Sequence, residues 1–147
     1  MNRIPFGIRR LDGTIGGGAP AGSVVLVSGE AGAGAREFMY TSAVMNGLVE
    51  GDPELFDLYY GDVDRSADPP SEVHYVSFTS DERQVREEMG LALDPELIDA
   101  AGGELDFHDL STQYFRLSPV PREWYGDRTA SVADLGATDD RTSVAEA

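Results

Sequence analysis

The sequence predicts an α/β protein, a partial parallel sheet flanked by helices. Three observations carry this. Residues 23–28 (SVVLVS) and 72–78 (EVHYVSF) are short runs rich in β-branched and aromatic residues, the composition of strands. Each run is followed by a stretch with helical character. A glycine-rich turn at 29–34 joins the first run to its helix. Strand, loop, helix, strand, helix is the element order of a parallel sheet with crossover helices.

Taken in order, residues 1–22 are Gly- and Pro-rich, with GGGAPAG at 16–22, and no element is assigned there. The run at 23–28 reads as a buried strand. Residues 35–50 read as a helix, because Phe38, Ala43, Val44, Met45, Leu48 and Val49 fall at roughly helical spacing. Gly51, Asp52 and Pro53 stop it. Residues 52–71 read as an acidic loop, and 72–78 as the second strand. Residues 81–90 (DERQVREEMG) read as a helix with Asp81 and Glu82 in its first turn, where the helix dipole favours anions. Asp94 as N-cap and Pro95 at the first helical position start another short helix. Residues 104–107 (ELDF) are a candidate third strand. The stretch 119–127 reads as a loop, and 126–147 as a flexible polar tail of one incomplete domain spanning 1–147.

The loop Gly29-Glu30-Ala31-Gly32-Ala33-Gly34 has the G-x-x-x-x-G form of a phosphate-binding P-loop, placed between a strand and a helix. Glycines let the backbone curl so that successive N–H groups face an anion, and the following helix N-terminus adds a favourable dipole. A working P-loop continues with Lys, which contacts the β/γ-phosphates, and then with Ser or Thr, whose hydroxyl holds Mg²⁺. Here Ala35 and Arg36 follow. Ala35 does neither job. Arg36 has charge but cannot ligate a metal. Glu30 and Glu37 put negative charge beside any bound phosphate. The alternative reading of these residues is a tight strand-to-helix turn that binds nothing.

The flanks narrow the choice. Gly7-Ile8-Arg9-Arg10-Leu11-Asp12, then Ile15-Gly16-Gly17-Gly18-Ala19-Pro20-Ala21-Gly22-Ser23, then the loop, resemble the KaiC branch of the RecA-like P-loop ATPases across residues 6–34. The resemblance is strongest to shortened KaiC-like proteins of halophilic archaea. It implies a RecA-like fold and an ancestral ATPase. In that family the strand after the P-loop helix ends in F-E-E, whose carboxylates position or activate the attacking water. Here Phe78 is followed by Thr79 and Ser80. The family's Walker B strand, an apolar run ending in Asp, has no counterpart in residues 111–147. Lysine, magnesium hydroxyl and catalytic acids all depart from the family pattern, so the resemblance implies a non-hydrolysing protein with no catalytic residues.

Composition restricts the function classes. Asp and Glu total 27 against 11 basic residues, for a net charge of −16, and every basic residue other than histidine is Arg. Such a charge repels itself in dilute buffer, whereas ~1 M salt shrinks the Debye length to about 3 Å. A salt-rich cytoplasm is the expected setting. Nucleic acid is an unexpected partner, because phosphate neutralisation needs clustered positive charge. There is no Cys, hence no disulfide or thiolate metal site. No apolar run approaches a membrane span, and MNRIPFGIRR is no signal peptide.

Other constellations are weaker. Asp62, Asp64 and Asp68 share a loop, but an EF-hand beginning at Asp62 would need Gly and Glu where Ala67 and Val73 stand. His74 and His108 are isolated in sequence and read as structural, so no metal site is assigned. Trp124 and Tyr125 read as covering a core edge. Three functions remain open: a non-hydrolysing regulatory or signalling subunit with a protein partner or a second copy; an ATP-binding protein or ATPase in which Arg36 replaces the lysine charge; and a non-functional remnant. Any ATP bound is expected weakly and without metal.

Overall fold

The computed structural model describes residues 2–61, 67–117 and 119. The chain divides into two units, one made of Met1–Tyr75 with Glu82–His108, the other of Val76–Asp81 with Asp109–Ala147. Among the described residues the architecture is mixed α/β, with two small two-stranded sheets and six helices.

The first unit begins with elements that the glycine-rich sequence obscures. Strand β1 (Arg3–Ile4) pairs antiparallel with β2 (Ala19–Pro20), Arg3 opposite Pro20 and Ile4 opposite Ala19. Between them lies helix α1 (Arg9–Ile15). Its Asp12 is 1% exposed and accepts from the backbone N–H groups of Phe6 (2.8 Å) and Ile8 (3.1 Å) and from the Tyr60 hydroxyl (3.0 Å). A buried carboxylate is tolerable only when its lone pairs are satisfied in this way.

The expected strand at 23–28 is not formed. These residues have no strand partner among the described residues, and Val24 is 98% and Leu26 88% exposed. β-branched composition favours a pleated, half-buried surface, but a strand is completed only by a neighbouring edge that pairs its N–H and C=O groups. Among the described residues no such edge lies beside this run.

Helix α2 (Ala35–Gly51) follows as expected and is the centre of the core. Tyr40, Val44 and Leu48, spaced by four, lie on its buried face with Met45. Glycines on the same helix let residues 100 and 101 approach closely: a Cβ at Gly51 would collide with the Ala100 carbonyl oxygen, and one at Gly47 would stand 3.2 Å from the Ala101 Cβ.

The expected acidic loop at 52–71 is in its first part a helix, α3 (Pro53–Tyr59), with Asp52 as N-cap accepting from Leu55 N–H and Pro53 at the first turn. The reason is the Asp-Pro start that also opens the later helix at Asp94. Phe56 and Tyr60 stack at 5.0 Å and join the core. Asp62 and Asp64 lie outside the described residues; Asp68 accepts a hydrogen bond from Asn2 Nδ2 at 2.8 Å.

Strand β3 (Val73–Ser77) is the expected second strand. Helix α4 (Glu82–Ala92) buries Val85 and Met89, and α5 (Pro95–Ala101) buries Leu97, Ile98 and Ala101, with Asp94 accepting from Glu96 N–H. Strand β4 (Leu105–Asp109) neighbours β3 and runs two residues beyond the expected end. On the core side Tyr75 stacks on Phe107, centroids 5.4 Å apart.

In the second unit, Ser77 and Ser80 close a turn by two hydrogen bonds, Leu110 N–H donates to Ser77 C=O, and helix α6 (Ser111–Arg116) follows. Phe78 and Tyr114 meet edge to face. Trp124, Tyr125, the 119–127 loop beyond its first residue and the 126–147 tail lie outside the described residues. Among the described residues, no helix is long and apolar enough to cross a membrane.

Candidate functional site

The P-loop-like segment is built as a turn opening directly into a helix. Gly32 and Gly34 have φ of 82° and 84°, a region that only glycine enters without penalty. Ala33 N–H donates to the Glu30 carbonyl at 3.0 Å, and Phe38 N–H to the Gly34 carbonyl at 2.9 Å, which starts α2. Gly34 is the N-cap and offers no side chain to the first-turn N–H groups. The turn and helix end bound an open cleft of about 350 Å³, lined by Glu30, Ala31, Gly32, Gly34, Ala35, Arg36 and Glu37. Gly29 and Ala33 complete the segment; a Cβ at Gly29 would touch that of Ala33 at 3.2 Å. The structure therefore gathers the sequence-selected residues at one place.

What the cleft offers an anion is backbone polarity and little else. Ala35 is apolar where the P-loop lysine stands. The Arg36 guanidinium is turned to α4, where its Nη1 lies 2.8 Å from Glu88 Oε2. The Tyr40 hydroxyl donates to the same carboxylate oxygen at 2.5 Å. These contacts reinforce one another. The Tyr40 hydrogen bond, followed by the contact with Arg36, holds the Glu88 carboxyl below its ordinary value. Glu88 in turn raises Arg36. Burial first, and then the bond to Glu88, push the Tyr40 phenol up. The cluster keeps Arg36 cationic and directs that charge at Glu88.

Thr79 and Ser80, where the resembled family carries carboxylates, belong to the second unit. Ser80 is tied by its backbone to the Ser77 hydroxyl. Glu82, in the first turn of α4, pairs with Arg86 at 2.8 Å.

Sequence reasoning missed two groupings. Tyr40 and Glu88 are 48 residues apart, and no local pattern marks their meeting. His74 and His108 are 34 apart yet stand 3.2 Å from each other. The available sign was the period-two alternation of the two strands, which puts both histidines on outward positions once β4 extends to Asp109.

No protein-family model matches the chain, and no curated protein or solved structure matches it significantly.

Proposed function

We propose that the chain is a RecA/KaiC-like, P-loop-derived domain that does not hydrolyse ATP and acts in the cytoplasm as a regulatory or signalling subunit. The supporting observation is the pairing of an open glycine-turn cleft with the absence of side chains able to hold phosphate and metal: Ala35 is apolar, and Arg36 is held by Glu88. A protein partner is the ligand class that suits such a subunit. The run 23–28, without a strand partner among the described residues and with Val24 and Leu26 exposed, has the main-chain groups that an added strand would use.

ATP titration by calorimetry in molar KCl, with and without Mg²⁺, tests the reading. Weak binding indifferent to Mg²⁺, or none, is expected, together with no phosphate release. Tight Mg²⁺-dependent binding, or turnover above ~1 s⁻¹, the low end of ordinary enzyme rates, would overturn it. The rival reading, in which Arg36 replaces the lysine, makes a separate forecast. Glu88→Gln would free the guanidinium and strengthen ATP binding, and Arg36→Ala would abolish it.

A further inference from the structure

Residues 24–28 make no hydrogen bond with any described residue. Before them Ser23 N–H donates to the Pro20 carbonyl at 3.1 Å, and after them Ala33 N–H donates to the Glu30 carbonyl. The run is open to solvent: Val24, Val25, Leu26 and Ser28 are exposed, and Val27 is half-buried. It is uncharged and free of proline, and no charged residue stands between Asp12 and Glu30 in a chain of net charge −16. Apolar, β-branched segments with unpaired N–H and C=O groups and no charge are templates for strand addition.

We propose that residues 23–28 pair with residues 23–28 of a second copy of the chain, antiparallel, about a two-fold axis between Val25 and Leu26. The pairing rests on the reading of 23–28 as the docking strand of a regulatory subunit and names the docked partner. The first argument is self-complementarity. SVVLVS is nearly its own reverse. In that register Val25 faces Leu26, Val24 faces Val27 and Ser23 faces Ser28. Apolar residues meet apolar ones and hydroxyl meets hydroxyl, the cross-strand pairs that stabilise a sheet. Gly22 faces Gly29, and Glu30 faces Ala21 rather than another acid. A two-fold contact needs one patch that complements itself, and a near-palindromic strand is such a patch.

The second argument is charge. Two chains of −16 repel one another, and they meet at least electrostatic cost where charge is lacking. Residues 13–29 are such a stretch. A basic partner would instead be drawn to the acidic faces. The third argument is the backbone. Pairing supplies partners for the N–H and C=O groups that 24–28 leave unused. Two six-residue strands make a contact of marginal strength, so association depends on concentration. In dilute solution the chain is single and its fold takes nothing from the run, in keeping with the exposure of Val24 and Leu26.

Sedimentation equilibrium of the full chain in molar KCl, from micromolar to millimolar protein, tests the pairing. A monomer–dimer equilibrium is expected. Val25→Lys buries an unpaired charge in the paired state and should weaken the dimer about tenfold or more. Val25 is exposed in the single chain, so circular dichroism should report a folded variant. Register has its own readout, because the chain has no cysteine. Facing residues of an antiparallel pair share one side of the sheet, and neighbours along a strand lie on opposite sides. A mixture of Val25→Cys and Leu26→Cys chains should therefore form disulfide-linked dimers on mild oxidation, and either variant alone should not. Four results would overturn the proposal: a monomer at every concentration, species larger than a dimer, a dimer indifferent to Val25→Lys, or disulfides in the single variants as readily as in the mixture. A monomer throughout would leave the run to a strand from a different protein. The reading of the cleft stands or falls separately, on the ATP titration.

Discussion

Residues 23–28 and residues 73–77 are two β-branched runs of similar length with different fates. The second pairs with β4, turns Tyr75 onto Phe107 and buries Ser77. The first has no strand partner among the described residues and leaves Val24 and Leu26 in solvent. Composition is alike, so composition does not decide. β3 has a neighbour brought to it by α4 and α5, whose Met89, Leu97 and Ile98 close the core beside α2. The run 23–28 ends in a turn whose glycines lead the chain straight into α2. The lesson is that a strand belongs to its sheet: the backbone groups of an extended segment are satisfied by the adjacent edge or by water.

The comparison can be broken most easily in the core. Leu48 is fully buried at the centre of α2, and Leu48→Ala should cost about 2–5 kcal/mol, read as a large fall in the denaturation midpoint. A loss below ~1 kcal/mol would mean that the α2 core is no better packed than the exposed run. Asp12→Ala should come next, at about 3 kcal/mol, since it strands the Phe6 and Ile8 amides and the Tyr60 hydroxyl.

The Arg36–Glu88 pair should matter less. Its side chains are 63% and 34% exposed, so Glu88→Gln should cost at most about 1 kcal/mol. Its pH dependence has a definite sign. The Glu88 carboxyl lies below the ordinary glutamate value, so its contribution is present above that ordinary value and is lost as pH falls through the lower, folded value. The Tm gap between wild type and Glu88→Gln should be widest at neutral pH and close in acid. A gap that widens in acid would contradict the assigned geometry. The smallest effect is expected at Leu26→Ser, within about 0.5 kcal/mol. A cost approaching that of Leu48→Ala would show that 23–28 is buried in solution, most directly by pairing with a second copy.

Much of the first unit was legible in the sequence. The apolar residues of α2, the Asp94-Pro95 start of α5 and the β-branched and aromatic composition of β3 are local signs of packing or capping that survive into the structure, whereas the like composition of 23–28 does not. α3 was equally legible, since Asp52-Pro53 repeats the Asp94-Pro95 start, but the acidic composition of 52–71 masked it. α1 was not, because its seven residues include a glycine and its buried residue is a carboxylate. At the candidate site, the turn and its lining residues followed from the glycine spacing. The direction of Arg36 did not, because it depends on Glu88 arriving from a helix far along the chain. The histidine pair depended on register between two strands, which no single run of residues encodes.

Asp12 has a consequence for motion as well as stability. One carboxylate holds the turn before α1 and the end of α3, segments 48 residues apart that share no sheet. The N-terminal segment therefore cannot fray residue by residue. Opening the turn releases Tyr60, and releasing Tyr60 loosens its stack with Phe56. Hydrogen exchange at Phe6 and Ile8 should follow the opening of α3 as one cooperative unit, so that the start of the chain reports on a helix to which the Asp12 carboxylate ties it.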